Sequence, residues 1–257
     1  MGLFNNKTTD NSSITLDEFP VCSKVNFATM EAYKRLRTNV IFSFADIDGC
    51  KVVGVTSSVR GEGKSLTSVN LAYSMAQDDK KVILIDADLR LSSVATKLEI
   101  EKEPGLSNVL VGQLKVKDVI KEYKDSDESK SFYVITSGNE VPNPAELLGS
   151  DKMANVLEEL KNDFDYIFVD LPPVCAVADA LITSKLTNGM VVVVRQDICH
   201  TDNLKECVDQ LKFANANILG FVYNGATSGS GSYGKYKKYG KYYKNSYTDE
   251  PKTDKTN

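Results

Sequence analysis

Six short runs of β-branched and aromatic residues recur along the chain, separated by segments in which apolar residues are three or four positions apart. Several runs are apolar at consecutive positions, which is typical of parallel strands covered by helices on both faces. The pattern predicts an α/β fold with a doubly wound, mostly parallel sheet. The predicted strands are 51–57, 81–86, 132–136, 165–170, 190–195 and 217–224, and the predicted helices include 64–77, 145–161 and 202–214.

The two ends of the chain differ from this alternating middle. Residues 1–27 are mainly polar and predict a flexible N-terminal segment. Residues 28–46 predict a helix with apolar side chains at Met30, Tyr33, Leu36 and Val40. From Ser228 the chain lacks hydrophobic periodicity and has few aliphatic residues, which predicts a disordered tail over 228–257. The remaining 28–227 forms one predicted domain.

Composition narrows the possible classes of function. The 257 residues are 42% hydrophobic and 26% charged, enough to bury a core, and the formal net charge is −4. No apolar run approaches the roughly 18 residues of a membrane span, so we expect a cytoplasmic protein. The five scattered cysteines and the single His200 support neither a disulfide framework nor a zinc site.

The stretch SVRGEGKS, residues 58–65, lies between the first predicted strand and a predicted helix. Backbone N–H groups of such a turn and the following helix dipole bind phosphate. In this motif the lysine reaches the β and γ phosphates of ATP and the last hydroxyl can ligate magnesium. The usual motif begins with glycine, where this chain has serine. The predicted nucleotide-binding residues are Ser58, Val59, Arg60, Gly61, Glu62, Gly63, Lys64, Ser65 and Leu66.

Polar residues follow three other predicted strands. Asp86 and Asp88 come at the end of the second, Asp170 at the end of the fourth, and Asn224 at the end of the sixth. Ligands of doubly wound sheets bind beyond the carboxyl ends of the strands, so these side chains are expected beside the phosphate loop. Carboxylates there can hold magnesium. For each aspartate the alternative is a helix N-cap.

These motifs together resemble the bacterial tyrosine kinases, in particular the free-standing cytoplasmic kinases of Gram-positive capsule and exopolysaccharide systems. SVRGEGKS resembles their Walker A motif, ILIDADLR (83–90) their second Walker A′ motif, and IFVDLPP (167–173) their Walker B motif. The resemblance covers about residues 28–226 and, in composition, the tail. Partition and septum-placing ATPases of the Min/Par type share this P-loop architecture, but their signature lysine would stand at Val59.

The resemblance implies a mechanism and a set of site residues. Lys64 holds the phosphates, Ser65, Asp88 and Asp170 organise Mg²⁺, and Asp86 orients the acceptor tyrosine or takes its proton. Asn224 is expected to contact the adenine. The catalytic residues implied are Lys64, Asp86, Asp88 and Asp170, and the cofactors are ATP and Mg²⁺.

The resemblance also implies an oligomer and a substrate. The family's E-x2-R-x2-R motif appears as Glu31, Lys34 and Arg37, with lysine in place of the middle arginine, and implies ring-like homo-oligomers. We expect autophosphorylation between subunits on the tail. The six tail tyrosines, interleaved with lysines, are Tyr233, Tyr236, Tyr239, Tyr242, Tyr243 and Tyr247.

Partners follow from the same resemblance. They are a separate transmembrane activator with a cytoplasmic segment, which would hold the kinase at the inner face of the membrane, and a cognate tyrosine phosphatase. The expected role is regulation of capsular or exopolysaccharide synthesis and export. One alternative is a nucleotide-dependent ATPase switch or scaffold of the Min/Par type whose tail serves only as a contact strip. Nucleic-acid binding, suggested by interleaved lysine and tyrosine, is not expected from an acidic chain.

Overall fold

A seven-stranded sheet forms the centre of the computed structural model, which describes residues 21–125 and 130–226. The strand order is β3-β4-β2-β5-β1-β6-β7. β3 pairs with β4 in antiparallel orientation and the other neighbours are parallel. The strands are β1 Lys51–Ser57, β2 Val82–Asp86, β3 Lys121–Lys124, β4 Ser131–Ile135, β5 Tyr166–Asp170, β6 Gly189–Arg195 and β7 Ile218–Asn224.

Helices cover both faces of this sheet. They are α1 Phe27–Phe42, α2 Lys64–Ala76, α3 Val94–Leu98, α4 Leu106–Leu110, α5 Pro144–Leu148, α6 Asp151–Lys161, α7 Asp179–Ser184 and α8 Thr201–Phe213, with short 3-10 turns at Cys22–Lys24 and Val116–Asp118. Within the described residues, no helix combines the length and apolar character needed to cross a membrane.

The core lies in two layers because successive strand residues point to opposite faces. Ile83 and Ile85 of β2 pack in the layer beneath α4 to α6 and α8. Leu84, between them, packs in the other layer, with residues of α1 and α2. All three side chains are fully buried. The central strands are therefore apolar on both faces, which is why their sequences are nearly continuous hydrophobic runs.

The α/β fold and the six strands expected from the sequence are confirmed, each to within one residue at either end. β3 was not predicted. Its sequence, KEYK, alternates half-buried and exposed positions at the edge of the sheet, and it is held by pairing with β4. Charged residues are common on edge strands. Because they interrupt the apolar run, the sequence pattern does not indicate this strand.

Two predicted helices need correction. The expected helix 145–161 is two helices, because the chain breaks at Gly149 and Ser150 between α5 and α6. The helix expected over 28–46 ends at Phe42, and the half-buried Met30, Tyr33 and Leu36 and the buried Val40 lie on it as expected. Residues 1–20 of the predicted flexible segment 1–27, and the tail with its six tyrosines, lie outside the described residues. Val21 and Cys22 of that segment are buried, and the N–H of Cys22 donates to Oδ1 of Asn70 at 2.7 Å.

Candidate functional site

The loop between β1 and α2 has the backbone of a phosphate-binding turn. Gly61 and Gly63 have φ values of +84° and +91°, in the left-handed region that glycine adopts without a side-chain clash. Gly63 is also the N-cap residue of α2, and Lys64 is the first residue of that helix. A Cβ atom on Gly63 would lie 2.2 Å from Nδ2 of Asn224. Glycine at position 63 is therefore favoured both by the backbone torsion and by the lack of room for a side chain.

Glu62 faces into the protein, away from any ligand of the loop. Its fully buried carboxylate accepts hydrogen bonds from Oγ of Ser58 at 2.8 Å, from the N–H of Val59 at 2.8 Å and from the N–H of Arg195 at 3.3 Å. Its carbonyl oxygen accepts a hydrogen bond from Nδ2 of Asn224 at 2.9 Å. The serine that replaces the usual first glycine therefore has a structural role, as a donor inside the loop.

Lys64 is surrounded by the predicted acids. Its Nζ lies 2.8 Å from Oδ2 of Asp88, 3.7 Å from Oδ2 of Asp170 and 3.3 Å from Oγ of Ser65. Burial alone lowers the pKa of Lys64, but the charges of Asp170 and Asp88 outweigh it, and the pKa lies above its ordinary value. The lysine is therefore a fixed positive charge at the start of α2.

Asp86 and Asp170 are direct neighbours in the register between β2 and β5. Asp86 accepts hydrogen bonds from the N–H groups of Asp88 and Val94, both at 3.2 Å. Oδ1 of Asp170 accepts one from Oγ of Ser68 at 3.0 Å. Burial, followed by the charge of Asp170, raises the pKa of Asp86 to about 8, and burial also raises the pKa of Asp170. Both acids lie at the carboxyl edge, as the sequence predicted.

The fit of these residues to magnesium depends on Asp170. No group of three or more His, Cys, Asp or Glu side chains within residues 21–125 and 130–226 is arranged as a metal site. Oδ2 of Asp170, however, is buried without a hydrogen-bond partner and faces Lys64, which in turn contacts Ser65. A carboxylate and a hydroxyl suit Mg²⁺ when nucleotide phosphates and water complete its oxygen ligands. The residues present fit the ion in that setting.

A cleft of about 320 Å³ opens over Gly63, Lys64 and Asp88. One wall continues along Leu91 and the other along Pro172 and its neighbours. A larger groove of about 870 Å³ lies between α7 and α8, but no predicted site residue lines it. Positive charge dominates the smaller cleft, whose lining includes Arg60, Lys64, Arg90, Lys97 and Arg195. The smaller cleft is therefore the better candidate for an anionic nucleotide.

The residues predicted for subunit contacts lie on α1, outside this cleft. Nζ of Lys34 contacts Oε1 of Glu31 at 2.7 Å within the helix. Arg37 is held within its own chain, where Nη1 donates to the carbonyl oxygen of Ser74 at 2.7 Å and Nη2 lies 3.5 Å from Oδ1 of Asp78. The subunit contact stays a prediction, with Lys34 more exposed than Arg37.

Sequence reasoning left several residues of the site without a role. Ser68 lies one helical turn after Lys64, a spacing that would have identified it as a neighbour of the same acids. Arg195 ends β6, and Nη1 of its side chain contacts the carbonyl oxygen of Gly61 at 3.2 Å. Asp179 lies beyond the Walker B motif, and no role for it was predicted from the sequence. Asn224, expected at the adenine, braces the loop through Glu62 while also lining the cleft.

Comparison with known proteins agrees with this geometry. A family model described as an AAA domain matches residues 50–218. The tyrosine-protein kinase YwqD of Bacillus subtilis is 37% identical over 195 residues, which cover 76% of this chain and 80% of that protein. The solved kinase domain of the Escherichia coli tyrosine kinase ETK is 31% identical, with a TM-score of 0.71, and the match covers 79% of each chain.

A more distant match shows the fold alone. The septum site-determining protein MinD from Pyrococcus horikoshii, solved in complex with Mg-ADP, is 22% identical with a TM-score of 0.57, and the match covers 68% of this chain and 70% of that one. The two chains therefore share a fold. On the identity and coverage of its relatives, the chain belongs to the family of bacterial tyrosine kinases.

Proposed function

We propose that the chain transfers the terminal phosphoryl group of ATP, bound with Mg²⁺, to tyrosines of its own C-terminal tail. The observation that supports this most directly is the grouping of Lys64, Asp88 and Asp170 at the mouth of the phosphate loop. Phosphoryl transfer requires mainly positioning and neutralisation of charge, and both are available there. Asn224 and the loop glycines line the same cleft.

The residues around the phosphate loop have different proposed roles. The loop N–H groups and Lys64 bind the phosphates, so Lys64 exchanges its contact with Asp88 for phosphate oxygens. Ser65, Asp88 and Asp170 are the groups that would hold magnesium, which supplies charge neutralisation on the phosphates. Asp88 lines the cleft, whereas Asp86 lies beneath it and holds the following loop through two N–H groups. Proton acceptance by Asp86 stays a prediction.

The acceptors are the six tail tyrosines, Tyr233, Tyr236, Tyr239, Tyr242, Tyr243 and Tyr247. The tail follows β7, whose last residue Asn224 lines the cleft of its own subunit. A segment that starts at the rim of one site reaches a neighbouring site more easily than it turns back into its own. We therefore propose transfer between subunits of a ring-like homo-oligomer, with Glu31, Lys34 and Arg37 near the contact.

In the cell, the proposed role is regulation of capsular or exopolysaccharide synthesis and export. A separate transmembrane activator would bring the kinase to the inner face of the membrane, and a tyrosine phosphatase would reverse the modification. Phosphorylation adds about −1.5 to −2 per tyrosine at neutral pH, so it reverses the positive charge that the lysines give to the tyrosine-rich part of the tail.

The test mixes two variants that are each unable to label themselves. Lys64→Met chains keep the tail, and a variant ending at residue 227 keeps the catalytic cleft. With ATP and Mg²⁺, and with activator present, we expect phosphotyrosine on the Lys64→Met tails by mass spectrometry. No label in the mixture, with label in the unaltered chain, would refute transfer between subunits. ATP hydrolysis without tyrosine phosphate in the unaltered chain would favour the switch or scaffold.

A further inference from the structure

Arg90 and Asp179 form a bidentate ion pair beside the cleft. Nε of Arg90 donates to Oδ2 of Asp179 at 2.9 Å, and Nη2 donates to Oδ1 at 3.1 Å. The Asp179 side chain is completely buried in the first turn of α7, while the Arg90 side chain is 39% exposed. Arg90 lines the cleft, four residues beyond the end of β2. The pair therefore joins the segment after β2 to the helix that follows the Walker B loop.

The contribution of this ion pair to the stability of the fold does not by itself explain its presence. Removing a carboxylate from water costs several kcal/mol, and a buried ion pair often contributes no more than a well-packed apolar pair. What two parallel hydrogen bonds do provide is orientation, because they fix the plane of the guanidinium group. Asp179 thus determines where the remaining donors of Arg90 point.

Those remaining donors have no partner in the described part of the chain. A guanidinium group carries five N–H donors, and only two of Arg90 are engaged, both by Asp179. The same cleft contains Lys64 and Asp88, the residues next to which the terminal phosphate is proposed to bind. A planar cation with free N–H groups at this position is suited to phosphoryl oxygens.

We propose that Arg90 contacts the phosphoryl group as it is transferred, and that Asp179 is the positioning residue that holds Arg90 in place. This inference rests on the proposed kinase function. In the transfer, the phenolic oxygen of tyrosine bonds to the terminal phosphorus of ATP, and the bond from that phosphorus to the bridging oxygen breaks. The electron pair leaves with ADP and the phenolic proton passes to a base, so nothing is oxidised or reduced. Arg90 stabilises the negative charge on the phosphoryl oxygens.

The experiment measures kcat and KM for ATP in tyrosine phosphorylation by the full-length chain with ATP, Mg²⁺ and the activator present. The variants are Arg90→Ala, Arg90→Lys, Asp179→Asn and the Arg90→Lys/Asp179→Asn pair. Asp165→Asn is the matched control, because Asp165 lies at the opposite edge of the sheet and accepts a hydrogen bond from the N–H of Lys81 at 2.8 Å. Thermal unfolding checks that each variant is folded.

We expect Arg90→Ala to lower kcat by about 10²-fold with little change in KM for ATP, since the contact strengthens in the transition state. Arg90→Lys and Asp179→Asn should each lower kcat by about tenfold, because each loses the fixed plane. The double variant should be no slower than Arg90→Lys, since Asp179 acts through Arg90. Millimolar guanidinium should restore part of the kcat of Arg90→Ala, and the control should match the unaltered chain.

Three results would overturn the inference while leaving the proposed function intact. They are a folded Arg90→Ala with unchanged kcat, multiplicative losses in the double variant, and no response of Arg90→Ala to guanidinium. Arg90→Lys and the guanidinium response decide the matter even when Asp179→Asn does not fold. Absence of tyrosine labelling in the unaltered chain overturns the proposed function and this inference with it. Equal labelling of the unaltered and Arg90→Ala chains overturns the inference alone.

Discussion

Substitution of Gly63 by alanine should damage the phosphate loop more than the same substitution at Gly61. Both residues have positive φ, so an alanine side chain strains the backbone at either position. At Gly63 the new Cβ would also lie 2.2 Å from Nδ2 of Asn224, whereas at Gly61 the nearest atom is Cδ1 of Ile198 at an ordinary 3.7 Å. Only the alanine at position 63 must displace a neighbouring side chain.

The expected magnitudes follow from these contacts. A non-glycine residue in the left-handed region costs about 1–2 kcal/mol, which is the whole effect expected at Gly61 and also at Gly49, where a Cβ meets open space. At Gly63 the displaced Asn224 also loses its hydrogen bond to the carbonyl oxygen of Glu62, worth about 0.5–1.5 kcal/mol. The free energy of unfolding should therefore fall by about 1.5–3.5 kcal/mol in Gly63→Ala.

Urea unfolding gives these free energies, and calorimetric titration with ADP and Mg²⁺ gives the accompanying loss of nucleotide affinity. Gly49→Ala is the control for strain away from the site. In an Asn224→Ala background the clash and the hydrogen bond are both absent, so Gly63→Ala should then cost no more than Gly61→Ala. An equal cost of the two substitutions in the unaltered background, or an excess that persists without Asn224, would refute the reasoning.

Two further predictions concern pH and subunit contacts. Burial raises the pKa of Cys207 from 9.0 to about 12, so above pH 9 the unfolded chain releases this proton while the folded chain keeps it. The free energy of unfolding should fall between pH 9 and 12, and urea unfolding of Cys207→Ala should show a smaller fall; an identical pH profile would contradict this. Arg37→Ala should lower the unfolding free energy by about 1–2 kcal/mol even in dilute monomer, because it removes the bond to Ser74. Lys34→Ala should change the oligomer mass measured by sedimentation but alter the unfolding free energy of the monomer by under about 0.5 kcal/mol. Equal destabilisation of the monomer by Arg37→Ala and Lys34→Ala would contradict the assignment of Lys34 to the subunit contact and of Arg37 to its own chain.

The sequence was sufficient for six strands of the sheet, though not for β3, and for the placement of the acids. Buried parallel strands are nearly continuous apolar runs, and their carboxyl ends share one edge, so the sequence alone places Asp86 and Asp170 together. The break between α5 and α6 was harder to predict. Gly149 and Ser150 interrupt a stretch with continuous helical spacing, and a glycine within such a stretch is compatible with one helix or two.

The parts of the site that could not be predicted depend on contacts between distant segments. Arg90 and Asp179 are 89 positions apart, and neither lies in a pattern that requires the other. The inward orientation of Glu62 depends on loop torsions and on donors from β6, which the spacing of GEGKS does not specify. Local motifs therefore locate the phosphates but not the residues that brace the loop around them.

The strand order has a consequence for synthesis on the ribosome. β1 lies between β5 and β6, so the first strand to emerge must wait for partners made much later. The last brace of the phosphate loop, Asn224, is 162 positions beyond Glu62. At ~5–20 residues per second this delay is roughly ten to thirty seconds. In a nascent chain the nucleotide pocket is therefore incomplete until almost the whole domain has been synthesised. ATP cannot bind in the complete pocket before that point.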